Sequence, residues 1–202
     1  VYLANPNNPT GTWFDDAELE KFLARVPGNT LVVVDEAYHE FTDAPGLTTA
    51  LKFLARHPNL IVTRTFSKAY ALAGLRLGYA ISAADVASIF ERLRESFNCN
   101  GLALIAAEAA LMDTQHVAQS KSWNHSEREW LAARLREKNL RVLPSQTNFV
   151  LIDFKTDASP IEKTLFENGV IARPMGGYGL PEYLRISVGT RAENERLLAA
   201  LP

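Results

Sequence analysis

The sequence predicts an α/β chain in which helices cover a mostly parallel sheet, with a smaller α+β region behind it. Three observations carry that expectation. Strand-like and helix-like patterns alternate through the first half. The early apolar runs are continuous, as in strands buried on both faces. The helical patterns between them carry their own start signals.

In chain order, Val1-Tyr2-Leu3-Ala4 is already strand-like, with no initiator Met or leader ahead of it. A chain that opens inside a strand is expected to have been cut from something longer. Asp15 with Glu18 makes a capping box, and Leu19, Phe22, Leu23 and Val26 follow at helical spacing before Pro27-Gly28. Leu31 to Val34 and Leu60 to Thr63 are β-branched runs, and Leu77 to Ile81 is a third strand. Ser82 and Asp85 start a helix expected to bury Val86, Ile89, Phe90 and Leu93.

Gly101 to Met112 and Val117 to Lys138 are long helical stretches. From Pro144 the pattern shortens. Phe149 to Ile152 is a strand, and Ser159-Pro160 with Glu162 starts a helix ended by Asn168-Gly169. Val170 to Ala172 and Tyr183 to Val188 read as strands, and Thr190 with Glu193 caps a last helix. A boundary within about ten residues of 115 divides the chain into regions 1–115 and 116–202.

Composition narrows the function. The 202 residues are 47% hydrophobic, with 21 basic and 23 acidic side chains and a formal charge of −2. Such a balance gives no electrostatic footprint for nucleic acid, and no stretch is apolar enough for a membrane span. One cysteine, Cys99, excludes an intrachain disulfide and fits a reducing, cytoplasmic setting. The four histidines show no ligand spacing, so no metal site is expected, and they and Cys99 read as structural.

Three segments at strand ends could carry chemistry. Asp35 ends the Leu31–Val34 run, where open α/β sheets place ligands, although a turn-capping acid fits the position equally well. Tyr38 could face the same crevice or be a core tyrosine. Thr65-Phe66-Ser67-Lys68 follows the second run, with Arg76 eight residues beyond Lys68. A lysine among small and apolar residues suits an activated amine, and the hydroxyls with a guanidinium suit a phosphate. A surface lysine in a polar loop is the plainer reading. Asn5-Pro6-Asn7-Asn8-Pro9-Thr10-Gly11 is a rigid turn that could present the Asn8 amide.

Together, in this order and spacing, these segments with Asp35-Glu36-Ala37-Tyr38 and Gly74-Leu75-Arg76-Leu77-Gly78 resemble the fold-type-I aminotransferases that use pyridoxal 5′-phosphate (PLP). The tail, Asn148 to Leu151, Arg173-Pro174 and Tyr183 to Thr190, looks most like the histidinol-phosphate aminotransferase branch. The resemblance spans essentially the whole chain, and it implies part of a large PLP-binding domain plus the small C-terminal domain.

The resemblance implies a role for each residue. Lys68 would take the cofactor aldehyde as a Schiff base and then move the substrate proton. Asp35 would pair with the pyridine nitrogen, Tyr38 and Asn8 with the phenolic oxygen. Thr65, Ser67 and Arg76 would hold the cofactor phosphate. Arg173 and Arg185 would bind the substrate's anionic group. Implied partners are histidinol phosphate with 2-oxoglutarate or glutamate, in a homodimer serving histidine biosynthesis. Phenylalanine or tyrosine aminotransferases, a threonine-phosphate decarboxylase and the aminotransferase-like sensing domain of a regulator stay open. Family members also carry an upstream segment with a phosphate-binding turn and a ring-stacking aromatic residue. Neither is present, so this chain alone is expected to bind the cofactor weakly.

Overall fold

The computed structural model describes residues 1–202. The contacts divide them into two units, residues 1–6 with 13–121 and residues 7–12 with 122–202. The break lies inside a helix at 121, and residues 7–12 group with the second unit.

The first unit holds β1 (Tyr2–Ala4), β2 (Val32–Asp35), β3 (Leu60–Thr65) and β4 (Gly78–Ser82), in that order across one sheet. β1, β2 and β3 are parallel and β4 is antiparallel to β3. Ala4, Asp35 and Thr63 are in register, so the carboxyl ends of three strands align. Helix α1 (Asp16–Leu23) starts from the expected capping box at Asp15, but it ends at Leu23, before Pro27-Gly28. Its Leu19 and Leu23 pack with Val32, Val34, Leu60 and Val62.

Only that face of β2 is buried. Val33 and Asp35 on the other face are half-exposed, and Leu31 falls outside the strand at 49% exposure. The continuous β-branched run therefore does not mark burial on both faces here. Helix α2 (Ala84–Leu93) also departs from expectation. Neither Ser82 nor Asp85 caps it, since Ala83 is its N-cap. Ile89, Phe90 and Leu93 are 47%, 46% and 73% exposed. The physical reason is the open sheet face beneath it. Ala87 and Phe90 roof a cavity of about 470 Å³ floored by Val33, Ile61, Thr63 and Ala80. Helix α3 (Gly101–Met112) is apolar nearly all round, yet only Ala103 and Ala107 are buried, against Phe66 and Leu77.

Helix α4 (Thr114–Glu137) leads into the second unit. There β5 (Arg141–Val142), β6 (Phe149–Asp153), β7 (Arg173–Pro174) and β8 (Tyr183–Ser187) form an antiparallel sheet in the order β5-β6-β8-β7. Helices α5 (Ser159–Glu167) and α6 (Arg191–Ala200) complete it, with Leu131, Leu135, Leu165 and Leu197 in one core with β6 and β8. α6 starts from the expected Thr190–Glu193 box. Its first residue, Arg191, pairs with Glu127 of α4 at 2.8 Å and stacks on Trp130.

One expectation in this unit changes. Val170 to Ala172 is not a strand, because the Val170 amide closes α5 onto Leu165 O at 2.8 Å and pairing begins at Arg173. Gly176 to Tyr178 forms a 3₁₀ turn closed by left-handed Gly179 and preceded by fully buried Met175.

Candidate active site

In the first unit, β2 and β3 bring most of the predicted residues to one end of the sheet. Asp35 is the last residue of β2. Its Oδ1 accepts from the Ala37 amide at 3.0 Å and its Oδ2 from the Tyr2 hydroxyl at 2.9 Å. The first bond is the turn-capping role that the position allowed, and the carboxylate fills it while staying half-exposed. Burial and the Asp35 carboxylate together push the Tyr2 phenol up, so Tyr2 remains a donor. Tyr38, 6% exposed, sits three residues on, where the chain turns into the 3₁₀ segment His39–Phe41.

Lys68 lies in the loop after β3, with Nζ 5.4 Å from the centre of the Tyr38 ring. That distance is within cation–π range and joins two predicted residues from the segments that follow β2 and β3. The loop is fastened on both sides of the lysine. Phe66 and Ala69 are buried, Phe66 O accepts from the Leu72 amide at 3.0 Å, and His116 Nε2 lies 3.1 Å from Ala69 O. Thr65 ends β3, and its hydroxyl accepts from the Ser67 amide at 3.1 Å.

Arg76 stands two residues before Gly78, the partner of Thr65 in the β3–β4 ladder. It is exposed, left-handed at φ +54°, and donates to Ala73 O at 2.7 Å. Left-handed backbone at Ala71 and Arg76, neither a glycine, is the kind of local strain that clusters at working sites.

The second unit holds the other three predicted residues. Arg185 of β8 and Arg173 of β7 are register partners, so their side chains leave the same face of the sheet. Leu184 and Ile186 point to the core instead. A cavity of about 420 Å³ is lined by Arg173, Arg185, Ser187, Pro174, Ile171 and Ala172. Arg185 also lies over the Phe149 ring and donates from Nη1 to Asn8 Oδ1 at 2.5 Å. Two guanidinium groups at one cavity suit a multiply charged anion.

Sequence reasoning missed Tyr2, Glu36 and Arg64. Strand alternation was the available signal, since it puts residues 2 and 35 on one face and 36 and 64 on the other.

A lysine, a carboxylate, a tyrosine and hydroxyl groups gathered at one end of an α/β sheet suit a PLP-dependent transferase, and the fold matches solved structures of that class. The profile of aminotransferase class I and II matches residues 1–201, and the chain belongs to that family.

Histidinol-phosphate aminotransferase 2 of Pseudomonas aeruginosa is 51% identical over the whole chain, which covers 54% of that protein. A histidinol-phosphate aminotransferase from an Anaeromyxobacter species is 52% identical, with 56% of it covered. The chain thus spans about half the length of these relatives. Among solved structures, the histidinol-phosphate aminotransferase of Sinorhizobium meliloti in complex with pyridoxal 5′-phosphate matches with a TM-score of 0.91 and 37% identity. All of this chain and 56% of that one are covered.

Proposed function

We propose that the full-length protein is a cytoplasmic, homodimeric histidinol-phosphate aminotransferase that uses PLP to exchange an amino group with 2-oxoglutarate. Residues 1–115 would then be the end of its large, cofactor-binding domain and 116–202 its small domain. The observation that carries the reading is the placement of Lys68 against Tyr38, beside the strand that ends in Asp35.

The donor set fits this cofactor. Asp35 is an acceptor for a pyridinium N–H, and its bonds to Tyr2 and Ala37 hold it in one orientation. Tyr38 supplies a hydroxyl for the phenolic oxygen. Thr65, Ser67 and Arg76 supply hydroxyls and a positive charge for the phosphate. When bound, PLP supplies an electron sink that weakens the Cα–H bond of the amino substrate.

Every other task falls to this chain's side chains. Lys68 Nζ would hold the cofactor and, as a free amine, would serve as the base that takes the proton from the substrate Cα. Asn8 donates from its amide nitrogen, because its oxygen already accepts from Arg185. Arg173 and Arg185 hold the phosphate of histidinol phosphate in one half-reaction and a carboxylate of 2-oxoglutarate in the other.

A second reading has a specific likeness behind it. The L-threonine-O-3-phosphate decarboxylase of Porphyromonas gingivalis matches with a TM-score of 0.84 and 27% identity over 98% of this chain. The test uses the full-length protein. PLP should produce an absorption band that Lys68→Ala abolishes, and glutamate should form from histidinol phosphate and 2-oxoglutarate. Carbon dioxide release from threonine phosphate without amino transfer would replace the reading with the decarboxylase. Transfer from phenylalanine in preference to histidinol phosphate would replace it with an aromatic aminotransferase.

A further inference from the structure

The most heavily bonded buried carboxylate of the first unit plays no part in the chemistry assigned above. Glu36 is 2% exposed and immediately follows Asp35. Arg64, its partner, immediately precedes Thr65. Arg64 donates to Glu36 Oε2 from Nε at 3.0 Å and from Nη2 at 2.8 Å. The Thr49 hydroxyl donates to the same oxygen at 2.9 Å, and the Ala50 amide donates to Oε1 at 2.6 Å. Arg64 Nη2 also donates to the Thr49 hydroxyl at 2.9 Å. Both carboxylate oxygens are thus engaged, and the group has one orientation open to it.

We propose that Glu36 and Arg64 are positioning residues that hold Asp35, Tyr38 and the Lys68 loop in register for the cofactor. The inference rests on the PLP reading above and names what makes that site rigid.

Strand geometry explains how it works. Asp35 and Thr63 are paired across β2 and β3, and the Glu36 amide donates to Thr63 O at 2.9 Å as the last backbone link between the strands. Alternation turns Glu36 and Arg64 to the face opposite Asp35 and Thr65. The pair therefore acts through the backbone rather than by touching a ligand. Glu36 O accepts from the His39 amide at 3.0 Å, so the same residue fixes the turn that carries Tyr38. A buried ion pair is a poor source of stability compared with apolar packing, and orientation is the better-attested use. Catalytic groups misplaced by about 1 Å can lose roughly a hundredfold in rate.

The test compares the full-length protein with Glu36→Gln and Arg64→Lys. Circular dichroism with thermal melting reports folding, a PLP titration followed by absorbance reports cofactor affinity, and kinetics report kcat and KM. In folded variants the Lys68-dependent band should persist, the PLP dissociation constant should rise roughly tenfold or more, and kcat should fall by a similar factor. KM for histidinol phosphate should stay within about twofold, because neither residue touches substrate. A folded variant with parental PLP affinity and kcat, and only a lower melting temperature, would overturn the proposal. If Glu36→Gln fails to fold, Arg64→Lys decides by the same measurements. A parent protein that shows no Lys68-dependent band rejects the PLP reading and this inference with it.

Discussion

Arg185 donates to Asn8 across 177 positions of sequence, with Nη1 2.5 Å from Oδ1. Each residue is orientated by the other. The guanidinium that faces the anion cavity is also the group that fixes which end of the Asn8 amide can donate elsewhere.

That arrangement sets an order among the arginine variants. Arg185→Ala removes a guanidinium and frees Asn8, and should weaken histidinol phosphate binding by about 2–5 kcal/mol. Arg173 is the more exposed of the two, so Arg173→Ala should cost less, about 1.5–3 kcal/mol. Kinetics with histidinol phosphate and with phenylalanine in both variants check this. An Arg173→Ala protein with unchanged phosphate-substrate kinetics would remove Arg173 from the site.

Gly78 should not tolerate a side chain. A Cβ there would lie 2.7 Å from the carbonyl oxygen of Arg64, which is backbone and cannot swing away. Gly78→Ala should destabilise the protein by about 1–3 kcal/mol in urea unfolding and loosen the pairing beside Thr65. Parental stability in that variant would show that the β3–β4 ladder has slack at this position.

Glu40 should make stability fall toward neutral pH. Burial pushes its carboxyl up, Arg64 offsets this only in part, and Oε1 accepts no hydrogen bond. The folded state therefore binds the proton more tightly than the unfolded chain. Its contribution is fully present below the ordinary carboxyl value and is lost as pH rises through the elevated one. Glu40→Gln should thus stabilise the protein at pH 7–8 by about 1 kcal/mol, with the gain vanishing as pH nears 4.5. Urea titrations at several pH values read this out, and a gain independent of pH would contradict it.

Expressed alone, the 202-residue chain should self-associate. Leu93, Phe97, Leu102, Ile105 and Met112 are 73%, 99%, 74%, 67% and 81% exposed, on or beside α2 and α3. Apolar surface this dense in water favours aggregation or binding of a hydrophobic dye. A monomeric, dye-silent chain in light scattering would sink the expectation.

Much of this molecule was legible before its structure. Both capping boxes, the extent of α3 and the residues at the ends of β2 and β3 follow from local chemistry that the sequence displays directly. Burial of α2 did not, because Val86, Ile89, Phe90 and Leu93 have helical spacing whether or not anything covers them. Val170 to Ala172 has strand composition, but the cap of α5 takes its first amide. Glu36 and Arg64 stayed hidden because their pairing depends on the β2–β3 register, which no single segment encodes.

Residues 7–12 group with the second unit while both their neighbours in sequence belong to the first. Gly11 O accepts from the Gln146 amide at 2.9 Å, and a Cβ on Gly11 would strike Ser145, so the six-residue piece is seated closely. The second unit is therefore completed by a strip that lies more than a hundred positions earlier in the sequence. A gene cut at residue 122 would yield a downstream product missing that strip. A protease nick at 121 would leave the upstream piece still threaded into the downstream one, so the halves should copurify under native conditions and part only in denaturant.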